Sequence, residues 1–159
     1  MADKRVDSQD EAFNRAVKFL SYRARSEAEV RRKLAQLGFS RDTADGAVKK
    51  LVSLKLLNDE NFARAWTVGR VEGRGYGPLR VERELRQKGI AKSLIAQILD
   101  ETFGKKQGKE RAQQLLEKRF RGKDLSDAKV FRRAVAFLQR RGYRDSVIAE
   151  VLKMPEGDD

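Results

Sequence analysis

The stretch Gly73-Arg74-Gly75-Tyr76-Gly77-Pro78 could do chemistry with its backbone alone, because glycines let main-chain N–H groups approach a phosphate and a helix starting at Pro78 would add more. Its spacing fits neither a dinucleotide fingerprint nor a Walker loop, and no apolar strand precedes it. The run from Gly104 to Lys109 fails at Glu110, where a Ser or Thr would be needed to hold magnesium. These failures argue against nucleotide hydrolysis. Glu82 and Glu84 stand two apart, so on a helix they share no face for paired acid–base work. With no cysteine and no histidine, the chain can build no disulfide, Cys/His zinc site, thiol nucleophile or Ser-His-Asp triad. No catalytic residue, cofactor or metal site is expected.

What remains is charge. The 159 residues carry 36 Lys and Arg against 24 Asp and Glu, a net +12, which attracts polyanions or acidic protein surfaces. Residues 102–144 hold 14 basic and 4 acidic groups, whereas residues 1–101 hold 21 and 15. The candidate nucleic-acid contacts are therefore Lys105, Lys106, Lys109, Arg119, Arg121, Lys123, Arg132, Arg133, Arg140 and Arg141. Arg80, Arg83 and Arg86 recur every three residues and should line one side of a helix. With Arg74 and Tyr76 of the adjoining glycine loop they form a candidate protein-binding stripe. A solvated helix face or a plain flexible connection would use the same residue types.

The elements that position these residues read as helices. Only Pro78 and Pro155 interrupt a chain rich in Ala, Leu, Arg, Lys, Glu and Gln, and apolar residues recur at helical spacing. Gly38-Phe39, Gly89-Ile90 and Gly142-Tyr143 each follow an equivalent stripe (Val30 and Leu34; Val81 and Leu85; Ala134 and Leu138). Each is followed by another: Ala44 and Val48; Ile95 and Leu99; Ile148 and Leu152. Each glycine reads as the left-handed residue ending one helix before the next. The fold expected is all-α, an elongated tandem array of three three-helix, helix-turn-helix-like repeats. An N-terminal tail (1–10), repeats at 11–57 and 58–103, a linker at 104–108, a repeat at 109–153 and an acidic tail at 154–159 complete the division. Gly69 to Gly77 reads as a glycine-rich connection. Phe62 and Trp66 read as core. The first residues lack a signal peptide's apolar run and no segment suits a membrane span, so a cytoplasmic, monomeric protein is expected.

Glu29 to Leu57 also suits a helix-turn-helix reader of duplex DNA, which would make the chain a transcription regulator. No wing follows it, and the unit recurs. Ser26-x-x-Glu29 with Lys33-Leu34 and Gly38-Phe39, the run Leu56-Leu57-Asn58-Asp59-Glu60-Asn61-Phe62-Ala63, and Arg74-Gly75-Tyr76-Gly77-Pro78-Leu79 leading to Glu84-Leu85-Arg86-Gln87-Lys88-Gly89-Ile90 together resemble the bacterial RecX family of regulatory proteins. The resemblance is closest over residues 12–100, and Asn58 replaces a more usual Asp, both being helix caps. It implies a non-enzymatic protein that binds RecA, or its filament on single-stranded DNA, and restrains filament growth, ATP hydrolysis and strand exchange.

Overall fold

The computed structural model describes residues 7–104 and 106–153. Among them lie nine helices and no strand: α1 (Gln9–Leu20), α2 (Glu27–Gln36), α3 (Arg41–Ser53), α4 (Asp59–Arg74), α5 (Pro78–Gln87), α6 (Lys92–Phe103), α7 (Gln107–Arg119), α8 (Ala128–Arg141) and α9 (Asp145–Val151). The backbone divides into two compact units, Met1–Ala65 with Arg86–Ala91, and Trp66–Leu85 with Lys92–Asp159.

In the first unit the core is the apolar stripe read from the sequence: Ala12 and Ala16 of α1, Val30 and Leu34 of α2, and Ala44, Val48 and Leu51 of α3. Ser8, Ser26 and Ser40 cap these three helices. At Ser26 the capping box is complete, its hydroxyl accepting from the Glu29 N–H and its own N–H donating to Glu29 Oε1 at 3.3 Å. The same hydroxyl donates to the Lys88 carbonyl at 2.7 Å, tying α2 to the turn after α5. Glu29 is almost buried, with Arg23 at 2.6 Å, Lys88 at 3.6 Å and Arg25 at 3.9 Å. Burial alone would raise its carboxyl pKa; the Arg23 hydrogen bond, the Ser26 N–H and the charges of Lys88 and Arg23 hold it below the ordinary value.

In the second unit Ala112 and Leu116 of α7, Ala134 and Leu138 of α8, Tyr143 and Ile148 form one cluster. Val81 and Leu85 of α5 and Ile95 and Ile98 of α6 are also buried. All three turn glycines adopt positive φ: +93° at Gly38, +76° at Gly89 and +96° at Gly142. That is the left-handed helix ending that the repeat alignment requires.

Two connections differ from the sequence reading. Helix α4 continues through Gly69 and Gly73 to Arg74, so only Gly75 to Gly77 joins it to α5. Two mid-helix glycines cost about 1 kcal/mol each, but Val71 and Thr67 are buried on this helix and Arg70 Nε pairs with Glu84 Oε1 at 2.9 Å. Helix α7 starts at Gln107, so Gly108 lies inside its first turn. A Cβ on Gly108 would stand 2.9 Å from the Phe103 carbonyl oxygen, so this glycine serves a close approach.

Candidate nucleic-acid interface

The end of α7, the turn after it and one side of α8 enclose an open groove of about 600 Å³ in the second unit. Its rim carries Arg119, Lys123, Lys129, Arg132, Arg133 and Arg140, and no carboxylate is among its lining residues. Lys129, Arg133, Ala136 and Arg140 recur at helical spacing, which places them along one face of α8. Phe120, Val130 and Phe137 contribute apolar lining, the two rings meeting edge to face with centroids 5.8 Å apart. The nearest acids in sequence are occupied locally. Asp124 accepts from the Ser126 hydroxyl and N–H, which lower its pKa, and Asp127 caps α8 through the N–H groups of Lys129 and Val130. The groove thus presents an unmixed positive field above an apolar floor, a combination that suits phosphates with bases or sugars beside them.

Arg119 and Phe137 also line a second groove, of about 740 Å³, which adds Arg74, Arg111, Lys118 and Arg141. Its one lining carboxylate, Glu72, lies 2.9 Å from Arg111. Arg141 is held by donation to the Arg74 carbonyl at 2.8 Å and lies 5.1 Å from the Phe137 ring centroid. Tyr143 is buried in this unit, which pushes its hydroxyl up to about 12 against the opposing charge of Arg111.

Of the ten residues expected to meet nucleic acid, Arg119, Lys123, Arg132, Arg133 and Arg140 come together in the first groove and Arg141 joins the second. Lys106, Lys109 and Arg121 are exposed but line neither, and Lys109 Nζ lies 3.8 Å from Glu150. Lys105 lies outside the described residues. Lys129 was missed, although it stands four residues before Arg133 on the same helix face; Lys118 was missed too.

The arginine stripe is not uniformly exposed. Arg83 and Arg86 are exposed, but Arg80 is half-buried, its guanidinium 3.9 Å from the Tyr76 ring centroid and donating to the Arg140 carbonyl at 3.0 Å. Tyr76 itself is buried, with Arg70 at 5.9 Å on its ring. The backbone beside it is committed as well: the Gly77 N–H donates to the Arg141 carbonyl at 2.6 Å and the Leu79 N–H to the Gly142 carbonyl at 2.9 Å. The glycine loop therefore joins the start of α5 to the end of α8, matching unpaired N–H groups with unpaired carbonyls. Arg74, Arg83 and Arg86 are the members of the set with exposed side chains.

No described helix is long and apolar enough to cross a membrane, and among the described residues no group of acids is placed to hold a metal ion. Family models for the first, second and third three-helix domains of RecX match residues 12–51, 58–99 and 107–152. The regulatory protein RecX of Trichlorobacter lovleyi is 34% identical over 140 residues, covering 87% of this chain and 91% of its own. That of Mycolicibacterium smegmatis is 31% identical over 151 residues, covering 92% and 80%. The crystal structure of RecX from Lactobacillus salivarius superposes with a TM-score of 0.77 at 25% identity, covering 93% of this chain and 96% of that one. Three recurring helix triplets, the turn glycines that end their middle helices and the agreement over nearly the whole length lead to one assignment: the chain belongs to the RecX family of regulatory proteins.

Proposed function

We propose that this protein regulates the RecA recombinase without catalysing a reaction. It binds RecA or the RecA filament on single-stranded DNA in the cytoplasm, as a monomer, and restrains filament growth, ATP hydrolysis and strand exchange during recombinational repair and the SOS response. The observation that carries this reading is the carboxylate-free groove of α7 and α8, whose six cations suit a phosphate backbone without a base-reading element. In this reading Arg119, Lys123, Lys129, Arg132, Arg133 and Arg140 hold the strand. Lys106, Lys109, Arg121 and Arg141 add to the positive charge of the same unit, and Lys105, outside the described residues, is a further candidate contact. Arg74 and Arg83 meet the recombinase beside Tyr76 and Arg80, and Arg86 is a further contact for it.

Each phosphate contact contributes about −0.7 to the logarithmic salt slope of single-strand binding. Replacing Arg132, Arg133 and Arg140 by Gln should therefore flatten the slope by about 2 and slow the arrest of RecA filament growth on a labelled oligothymidylate. An unchanged slope with unchanged arrest contradicts the groove's role. A transcription regulator would instead select one short duplex motif by about a thousandfold over random sequence; binding selection on random duplexes should return none.

A further inference from the structure

The first unit carries a basic groove of its own, about 650 Å³, between α2 and α3. Arg31 and Arg32 of α2 and Arg41 and Lys49 of α3 line it, around an apolar floor that includes Ala35, Phe39 and Ala44. It differs from the α7–α8 groove in sign pattern. Asp45 lies among its lining residues and pairs with Arg31 at 3.0 Å, and Asp42 stands in the first turn of α3. A phosphate track would meet the Asp45 carboxylate. An acidic protein segment would not fill the groove with uninterrupted charge; it needs spaced cations, a place for an apolar side chain and a rim of mixed sign.

The constellation is not a by-product of the repeat. Counting from the turn glycines, the positions of Arg31, Arg32, Arg41 and Lys49 are held by Glu82, Arg83, Lys92 and Asp100 in the second repeat, and by Val135, Ala136, Asp145 and Lys153 in the third. The apolar positions keep their character throughout: Phe39, Ile90 and Tyr143 are buried, as are Ala44, Ile95 and Ile148. The fold therefore needs the floor, and only the first repeat adds four cations above it. Arg32, Arg41 and Lys49 are exposed, so none of them is required to hold the core.

We propose that the α2–α3 groove of the first repeat is a docking site for an acidic protein segment with an apolar anchor, so that the chain holds a protein through one groove and nucleic acid through another. The presenting protein is the recombinase if the function proposed above is correct, and the inference rests on that reading only in this respect.

The test uses the full chain and a double variant, Arg32→Glu with Lys49→Glu, at an ionic strength that screens long-range steering. Its probes are a 20-residue peptide with Glu and Leu at helical spacing, the same peptide with Lys for Glu, a 20-nucleotide oligothymidylate, and DNA-free RecA. The native chain should bind the acidic peptide and RecA but not the lysine peptide. The variant, with an unchanged melting temperature, should bind both at least tenfold more weakly while its oligothymidylate affinity changes less than threefold. Binding of the acidic peptide through the groove with no binding of RecA keeps the docking site and removes the recombinase as its partner. Groove-dependent binding of RecA without the peptide also supports the site. Equal loss of oligothymidylate and protein binding makes the groove a second nucleic-acid site and overturns the proposal. Acidic-peptide and RecA binding that are both unaffected by the variant, or absent from the native chain, overturn it as well.

Discussion

Gly142→Ala should destabilise the protein by about 3 kcal/mol, several times the loss expected at Gly38, although both glycines end a helix at nearly the same φ. The left-handed conformation costs an L-residue about 1–2 kcal/mol at either position. Only Gly142 adds crowding, since a Cβ there would lie 2.6 Å from the Arg80 backbone nitrogen and 2.5 Å from its Cβ, whereas at Gly38 it would meet nothing within 4 Å. Backbone crowding that cannot relax adds about 1–3 kcal/mol. Gly89 falls between them, because its Cβ would press on the methyl of Ala28 and on no backbone atom as closely. Urea unfolding of the three alanine variants should rank the losses Gly142, Gly89, Gly38. Equal losses would mean that the junctions between the glycine turns and the neighbouring helix starts are looser than the hydrogen bonds from Gly77 and Leu79 indicate.

Glu29→Gln should cost about 2 kcal/mol near neutral pH. The carboxylate is nearly buried among Arg23, Arg25 and Lys88, and a neutral amide leaves those cations without their counter-charge. The pH dependence identifies the cause. The folded pKa of Glu29 lies below its ordinary value of 4.5, so its contribution is fully present above that value and is lost as pH falls through the folded pKa. The gap between the native chain and Glu29→Gln should therefore close as pH falls below 4.5 and through the lowered folded pKa. Glu27 supplies the opposite case. Burial first, then the charge of Asp59, raises its carboxyl pKa, so ionisation weakens the fold as pH rises through that raised value. Glu27→Gln should be neutral or stabilising at pH 7. Parallel pH profiles for the two variants, measured by thermal unfolding, would contradict the assignment of the Glu29 cluster.

The turn glycines, the Ser26–Glu29 capping box, the helix start at Pro78 and the buried stripes were legible because each depends on interactions within a few residues. Gly69 and Gly73 misled because mid-helix glycines are tolerated where tertiary packing supplies the stability, and Val71, Thr67 and the Arg70–Glu84 pair supply it here. Periodicity placed Arg80, Arg83 and Arg86 at common spacing but could not show that Arg80 donates to a carbonyl sixty residues away, that of Arg140. The charge excess of residues 102–144 pointed to the α7–α8 groove, and a helical-face count from Arg133 would have added Lys129. The α2–α3 groove was hidden because its four cations are diluted by acids over the first hundred residues, and only folding brings Arg31, Arg32, Arg41 and Lys49 to one groove.

The chain belongs to a family of regulatory proteins, and the regulation proposed for it acts on the recombinase. The most direct measurement is RecA's ATPase on single-stranded DNA, titrated with the native chain and with the Arg132, Arg133 and Arg140 to Gln variant. The native chain should inhibit, with half-inhibition moved at least fivefold upward in the variant at unchanged melting temperature. ATP hydrolysis that proceeds at its full rate with native protein in excess over RecA would contradict it.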